Sequence, residues 1–192
     1  MSSIAKSIEE RIEATLSKKR LRHIRGVETV AHELSIRFGV DRDACQVAAL
    51  AHDMLREIPQ SEMIQRVDAL RLVVSDQERR NPSLLHGPLA AWELKATYSV
   101  QNAEVVDAVR HHTLGHPDLG PIGWILYVAD YIEPGRKHVN HRDRQRILSL
   151  QSLPAMVCAV IDHSRRRFDS LESPTLGMYR RLQCEDSENA VS

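Results

Sequence analysis

Histidines and aspartates recur in this sequence at places where apolar helical segments end. His52 and Asp53 are adjacent and follow the apolar run VAALA, and Asp130 follows the apolar segment WILYVA in the same way. A buried carboxylate costs several kcal/mol unless it is paired or coordinated. Because imidazoles and carboxylates from several helices are the ligands of buried divalent and di-iron sites, the pattern predicts a metal centre. Further candidates for this centre are His23, His86, His111 and His112.

A structural network of charges is the other interpretation of these residues. Each carboxylate could be neutralised by a protonated histidine or an arginine, and ligands this far apart in sequence occur by chance in a histidine-rich chain. We favour a metal because two carboxylates and several imidazoles lie in apolar surroundings with few lysines near them. His111 and His112 are neighbours about 100° apart around one predicted helix, so that both need not face the same site.

The composition limits the class of protein. The chain has 192 residues, enough for one domain with a buried core. Its 26 Lys and Arg balance 26 Asp and Glu, and aromatic residues make up 4%, which argues against a nucleic-acid partner. No apolar run approaches the roughly 20 residues of a membrane span, so no membrane partner is expected. The amphipathic N-terminus lacks the apolar core of a signal peptide.

Cysteine usage gives an expectation about the compartment. Cys45, Cys158 and Cys184 are odd in number, far apart in sequence, and contain no CxxC pair. This pattern predicts a reduced, cytoplasmic protein whose thiols are ordinary core or surface residues.

Helical periodicity runs through almost the whole sequence, and no extended alternating pattern indicates a strand. Gly39 is placed to end one helix, Asp41 and Asn102 to cap two others, and Pro134 to stop a fourth. The stretch 67–83 is left unassigned. We therefore expect an all-α, multi-helix bundle of about seven to nine helices around a central site.

Three longer strings narrow the identification: LLHGPLAAWEL, AVRHHTLGHPDLG and YVADYIEPGR. The order His23, His52-Asp53, Asp130 is the signature of the HD-domain metal-dependent phosphohydrolases. The strings resemble the bacterial YqeK family of symmetrical bis(5'-nucleosyl)-tetraphosphatases, whose members carry LLHGP, R-x-H-T-x-G and A-D-x-I-E-P-x-R in this order. A bare His-Asp dipeptide has little specificity, whereas A-D-Y-I-E-P-G-R is very specific.

The resemblance implies an HD-domain fold and symmetric cleavage of diadenosine tetraphosphate into two ADP by a water activated between two metals. Iron is the first expectation for the metals, and manganese or cobalt are alternatives. By motif, Asp53 would bridge the two ions. The first ion would be held by His23, His52, Asp53 and Asp130, and the second by His86 and His112 together with Asp53.

The resemblance also implies residues that bind phosphate. Arg136 ends the E-P-G-R string and matches the family's phosphate-binding arginine, while Arg56 stands near a position where the family often has a lysine. Lysine and arginine differ in geometry, so arginine at this position would alter the affinity for phosphate. We take Asp53, Arg56 and Arg136 as catalytic, and both arginines as substrate-binding. The turn after the histidine pair supplies three more substrate-binding candidates, Thr113, Gly115 and His116.

Domain boundaries follow from the same comparison. Residues 1–19 form an N-terminal helix or arm, 20–172 the HD phosphohydrolase domain, and 173–192 a C-terminal extension that is partly disordered because its end, CEDSENAVS, is polar.

Two other functions stay open. An HD phosphohydrolase could act on nucleotides or cyclic dinucleotides, or a non-catalytic HD module could sense a nucleotide, although a sensor usually lacks ligands that are present here. The expected partner is a dinucleoside polyphosphate, and a homodimer is left open.

Overall fold

The computed structural model describes residues 2–166 and 172–184. Within these ranges the chain forms eleven α-helices and one 3₁₀ helix, and no strand. The prediction of an all-α bundle is therefore confirmed, but the expected number of helices was too low. In chain order the helices are α1 (Ser3–Thr15), α2 (Lys18–Phe38), α3 (Arg42–Ala51), α4 (Gln60–Ala69), α5 (Asp76–Arg80), the 3₁₀ helix (Pro82–Leu85), α6 (His86–Ala96), α7 (Ala103–His111), α8 (Pro121–Ile132), α9 (His141–Ser149), α10 (Leu153–Arg165) and α11 (Ser173–Arg181).

Helices α3 and α8 form the centre of the bundle. Both are apolar around most of their circumference, and α2 and α7 pack against both of them. A helix that is apolar all round is stable only when other elements surround it. His52 lies at the C-terminal end of α3 and Asp130 in the last turn of α8, so the packing of these helices places both side chains inside the bundle.

Local signals in the sequence fix several helix ends as expected. Gly39 adopts a left-handed conformation (φ 66°) at the C-terminus of α2. The side chain of Asp41 accepts hydrogen bonds from the backbone N–H groups of Asp43 (3.0 Å) and Ala44 (3.1 Å). Asn102 caps α7 in the same way, and α8 ends just before Pro134.

Helix α5 occupies the stretch that the sequence analysis left unassigned. Its N-terminus is a capping box: Ser75 Oγ accepts from the Glu78 N–H (3.2 Å), and the Glu78 carboxylate accepts from the Ser75 N–H (2.6 Å). The Ser-x-x-Glu spacing of such a box was present in the sequence.

Helix α11 packs against the turn that follows α7. Thr175 Oγ1 donates to the carbonyl oxygen of Leu114 (2.7 Å), and Cys184, beyond the end of α11, forms a disulfide with Cys158 of α10. The expectation of three free thiols is thus wrong for these two residues, which are far apart in sequence but adjacent in the bundle. Cys45 remains a buried free thiol, and burial raises its pKa to about 12.

Two expectations concern residues at or beyond the described ranges. The predicted disordered tail, apart from its first residue Cys184, and the last part of a helix expected to run to Leu171 lie outside the described residues. The division of the chain into three parts stays a prediction. Of the helices in the described ranges, none has the length and apolarity required to cross a bilayer.

Candidate metal centre

Two clusters of possible metal ligands lie side by side in the middle of the bundle. They contain all six residues that the motifs suggested as ligands, and five different helices or their ends supply them. The first cluster consists of His23, His52 and Asp130, and the second of Asp53, His86 and His112.

The first cluster joins the helices α2, α3 and α8. The Nε2 atoms of His23 and His52 are 3.3 Å apart, and His23 Nε2 lies 3.1 Å from Asp130 Oδ1. The possible ligand atoms of this group all lie within 4.8 Å of one another, which is close enough for one ion to contact all three.

The second cluster is more deeply buried. His86 Nε2 lies 3.0 Å from His112 Nε2 and 3.1 Å from Asp53 Oδ1. His86 is the first residue of α6 and His112 follows α7, so the contact between these two helices brings the imidazoles together.

Asp53 faces both clusters with different oxygens. Its Oδ1 lies in the second cluster, whereas its Oδ2 is 3.5 Å from His23 Nε2 and 3.6 Å from His52 Nε2 in the first. One carboxylate oxygen is therefore available to each cluster, which is the geometry that a bridging ligand needs.

Backbone carbonyls orient three of the four imidazoles. His52 Nδ1 lies 2.7 Å from Ala49 O, and His86 and His112 make the same 2.7 Å contact with the carbonyl three residues earlier. A carbonyl oxygen only accepts hydrogen bonds, so Nδ1 of each ring carries a proton and Nε2 is the nitrogen that faces the ligand clusters. Metal-binding histidines are typically held in this way.

Glu133 orients the fourth imidazole. Its Oε1 is 3.2 Å from His23 Nδ1, and its Oε2 accepts from the Gly135 N–H (2.5 Å). The sequence analysis had not assigned this residue to the metal centre. A Cβ at Gly26 would lie 2.5 Å from Glu133 Oε2, so the glycine on α2 leaves the space that this carboxylate occupies.

The charges in the centre suit metal binding. Burial lowers the pKa of His52, and burial together with His86 and His52 lowers the pKa of His112 to about 3. Burial also lowers the pKa of His23, but hydrogen bonds to Asp130 and Glu133 outweigh it and raise this pKa overall.

Both aspartates are held as carboxylates. Burial alone would raise the pKa of Asp53, but His52, His86 and His112 hold it well below its usual range. The hydrogen bond from His23 and the charges of His52 and Arg136 lower the pKa of Asp130 in the same way. The lowered pKa values of His52 and His112 favour neutral imidazoles, and neutral imidazoles and ionised carboxylates are the forms that coordinate a metal.

These residues fit a divalent cation. The Nε2 atoms of His86 and His112 lie 3.0 Å apart beside Asp53 Oδ1, and a backbone carbonyl engages the Nδ1 atom of each ring. Three possible ligand atoms therefore converge, and one cation placed between them would contact all three. The donor set of imidazoles and carboxylates is one that binds divalent transition metals.

Gly87 permits the close contact on which the second cluster depends. A Cβ at this position would lie 2.7 Å from the carbonyl oxygen of Arg110 and 3.3 Å from that of Val109. Since these are backbone atoms of α7, only glycine lets α6 approach closely enough to place His86 beside His112.

Three arginines lie around the centre. Arg20 forms an ion pair with Asp53, and Arg136 forms one with Asp130 while its Nε donates to the Asp130 carbonyl (2.8 Å). Arg56 does not reach the ligands; its Nη1 donates to Ser83 O (3.1 Å). Arg20 was missed by the sequence analysis, although it precedes His23 by three residues and so shares its helix face.

The predicted substrate-binding turn lies beside the second cluster. Thr113 Oγ1 is 3.2 Å from His112 Nε2, and Gly115 has a positive φ of 71°. His116 stacks on His111, which belongs to neither ligand cluster.

Comparisons with known proteins show the family of this chain. The HD domain matches residues 20–135. The symmetrical bis(5'-nucleosyl)-tetraphosphatase of Bacillus subtilis is 36% identical over 65% of this chain and 67% of that protein. Proteins of the same name from Halalkalibacterium halodurans and Staphylococcus aureus are each 30% identical, over 64% and 63% of this chain and 65% and 62% of their own lengths.

One solved structure has the same fold. A predicted HD superfamily hydrolase from Clostridium acetobutylicum superposes with a TM-score of 0.83, covering 94% of this chain and 97% of that chain. At 24% sequence identity this likeness concerns the fold alone.

Proposed function

Because the chain belongs to the HD domain family, as a phosphohydrolase of the YqeK type, we propose that it cleaves diadenosine tetraphosphate symmetrically into two ADP. The names of three relatives that match about two thirds of their length support this substrate. The proposal includes two bound divalent metals and a cytoplasmic location.

The two oxygens of Asp53 carry the proposal. Each points into a different cluster, at 3.1 Å from His86 and 3.5 Å from His23. His23, His52 and Asp130 would hold one ion, and His86 and His112 would hold the other, while Asp53 offers one oxygen to each cluster. When bound, the two ions would supply Lewis acidity that activates a water and neutralises charge on the reacting phosphate. We propose iron, since mixed nitrogen and oxygen ligands suit iron, manganese or cobalt better than magnesium.

Two arginines are placed to orient the polyphosphate. Arg20 and Arg136 pair with Asp53 and Asp130, and both guanidinium groups are partly exposed, at 24% and 32% of their side chains. A polyphosphate that entered beside the ions would meet a cation on either side of the first cluster. Guanidinium groups bind phosphate oxygens in a bidentate manner and would hold the chain for in-line attack.

Residues near the second cluster would also contribute to substrate binding. The hydroxyl of Thr113 is exposed beside His112 and can donate to a phosphate or ribose oxygen. Arg56 and His86 bond the same carbonyl oxygen, that of Ser83, so in this reading Arg56 positions His86 rather than binding phosphate directly. Gly115 shapes the turn that presents His116.

Product analysis tests the proposal. Protein loaded with ferrous iron is incubated with diadenosine tetraphosphate, and the products are separated by ion-exchange chromatography. We expect ADP alone. The activity should be lost in His52→Ala and retained in His141→Ala, a matched control at an exposed histidine outside both clusters. ATP with AMP, or no reaction with the metal bound, would contradict the proposal and direct attention to mononucleotides and cyclic dinucleotides.

A further inference from the structure

A cleft of about 250 Å³ opens beside the second cluster. Thr113 connects the two, because its hydroxyl contacts His112 Nε2 at 3.2 Å while the residue also lines the cleft. A ligand group in this cleft is therefore adjacent to the metal centre. One wall comes from the segment around α5 and the other from the turn after α7, together with Pro174 at the start of α11.

The second wall carries two stacked imidazoles. The rings of His111 and His116 have centroids 4.5 Å apart and an interplanar angle of 31°. The His116 ring is fixed by the Asp118 N–H, which donates to its Nδ1 (3.3 Å), and its side chain is 40% exposed. The pair thus offers an aromatic surface to the cleft.

Contacts on the far side of the turn hold this surface in place. Gly115 donates its N–H to His111 O (2.7 Å), and the side chain of Met178 fills the space where a Cβ of Gly115 would lie. Thr175 bonds the Leu114 carbonyl (2.7 Å). The turn is therefore supported by α11 and does not depend on a ligand for its shape.

The charged groups that line the cleft are already hydrogen-bonded within the protein. Its carboxylate, Glu78, is 8% exposed and already accepts two hydrogen bonds from Ser75. Its guanidinium, Arg110, donates to the carbonyl oxygen of Val73 (2.7 Å). The arginines suited to polyphosphate, Arg20 and Arg136, lie at the first cluster. What remains is aromatic and apolar surface with a few polar atoms, which suits a flat, uncharged heterocycle.

We propose that this cleft is a nucleobase subsite, in which the stacked pair of His111 and His116 binds the adenine of one nucleoside half. The inference rests on the proposed function, and it adds the residues that recognise the base. The polyphosphate runs from the cleft past Thr113 and the metal centre toward Arg20 and Arg136. His111 thereby receives a role that the metal centre does not give it.

Binding measurements separate this subsite from the reaction. We would titrate metal-loaded protein with ADP and, separately, with inorganic pyrophosphate by calorimetry, so that no turnover is required. His116→Ala should weaken ADP about tenfold or more, the loss expected when a stacking platform is removed, and leave pyrophosphate unchanged. His116→Phe keeps an aromatic ring and should retain most of the affinity for ADP.

Two results would overturn the proposal. Unchanged ADP affinity in His116→Ala would show that the base binds elsewhere, and an equal loss for ADP and pyrophosphate would show that the variant only disturbs the phosphate site. Because binding is read without hydrolysis, a protein that fails to cleave diadenosine tetraphosphate can still show the selective loss of ADP. Failure of the subsite and failure of the proposed function are therefore distinguishable.

Discussion

The Nε2 atoms of His86 and His112 face each other at 3.0 Å, and the Nδ1 of each ring is bonded to a backbone carbonyl oxygen. Asp53 Oδ1 lies 3.1 Å from His86 Nε2, so a carboxylate oxygen joins the two imidazole nitrogens. These three atoms converge where one divalent ion would contact all of them. The backbone carbonyls hold both rings in an orientation that is typical of metal-binding histidines.

The number of metal ions bound per chain should depend on both ligand clusters. We expect two divalent ions per chain in the loaded wild-type protein, and about one in His23→Ala or His86→Ala, since each substitution damages a different cluster. Loading should also raise the free energy of unfolding, by about 3 kcal/mol for each ion when free metal is a hundredfold above its Kd. Inductively coupled plasma mass spectrometry gives the count. Two ions retained in both variants would contradict the assignment.

The metal-free protein should lose stability as the pH falls from about 7.5 to about 5.5. Burial depresses the pKa of His52, and that of His112 to about 3, so below about pH 6.5 the unfolded chain binds protons that the folded chain does not. Each such group costs about 1.4 kcal/mol per pH unit. His23, whose pKa is raised, acts in the opposite direction, but it is one group against two, so a net loss of stability remains.

Urea unfolding of chelator-treated protein at both pH values measures this loss. His112→Asn removes one titrating group and should give a weaker dependence on pH. Equal or greater stability at the lower pH in the wild type would show that the buried imidazoles are protonated.

Gly87→Ala should separate α6 from α7. The added Cβ would meet the Arg110 carbonyl at 2.7 Å, and backbone cannot move aside cheaply. We expect a loss of about 1–3 kcal/mol in stability and weaker binding of the second ion. Gly123→Ala is the matched control, because its Cβ would meet only the flexible side chain of Leu119 and alanine is favoured in a helix. If both substitutions changed stability and metal binding equally, the contact between Gly87 and the backbone of α7 would not be what limits the approach of α6.

Arg20 should contribute to turnover. Arg20→Ala removes a cation that pairs with Asp53 and is placed to contact phosphate, so we expect kcat/KM to fall about 10²–10³-fold. Arg22→Ala, an exposed arginine on the same helix, is the control and should keep wild-type activity. Steady-state rates are measured together with the metal content of each variant. If the loss of activity is explained entirely by loss of metal, Arg20 has a structural role and does not act on the substrate.

Thiol titration of the unfolded, unreduced protein should detect one free thiol per chain, that of Cys45. The bond between Cys158 and Cys184 joins positions 26 residues apart, and its removal in Cys158→Ser should cost about 3 kcal/mol. Three reactive thiols would instead restore the expectation drawn from the sequence.

The sequence was most informative where the chemistry of a residue and its place in an apolar segment agreed. His52, Asp53 and Asp130 follow apolar runs, and the structure places all three inside the bundle near the ends of α3 and α8. Helical periodicity and the caps at Gly39 and Asp41 gave the fold class and several helix ends, because these signals are local.

Residues that act through long-range contacts could not be predicted in this way. Glu133 contacts His23, from which it is separated by 110 positions in sequence. Glycine is required at position 87 only because the backbone of α7 packs directly against it. The disulfide likewise depends on how α10 and α11 pack. Two signals were available but unused: Arg20 lies one helical turn before His23, and Ser75 and Glu78 have the spacing of a capping box.

Hydrolysis in water enriched with heavy oxygen tests the central claim most directly. If the metal-loaded protein cleaves diadenosine tetraphosphate between its two middle phosphates, ADP is the sole nucleotide product and half of it carries one heavy oxygen, on the terminal phosphate. Mass spectrometry reads both results from one sample. ATP with AMP, release of inorganic phosphate, or ADP without the label would contradict symmetric hydrolysis at this centre.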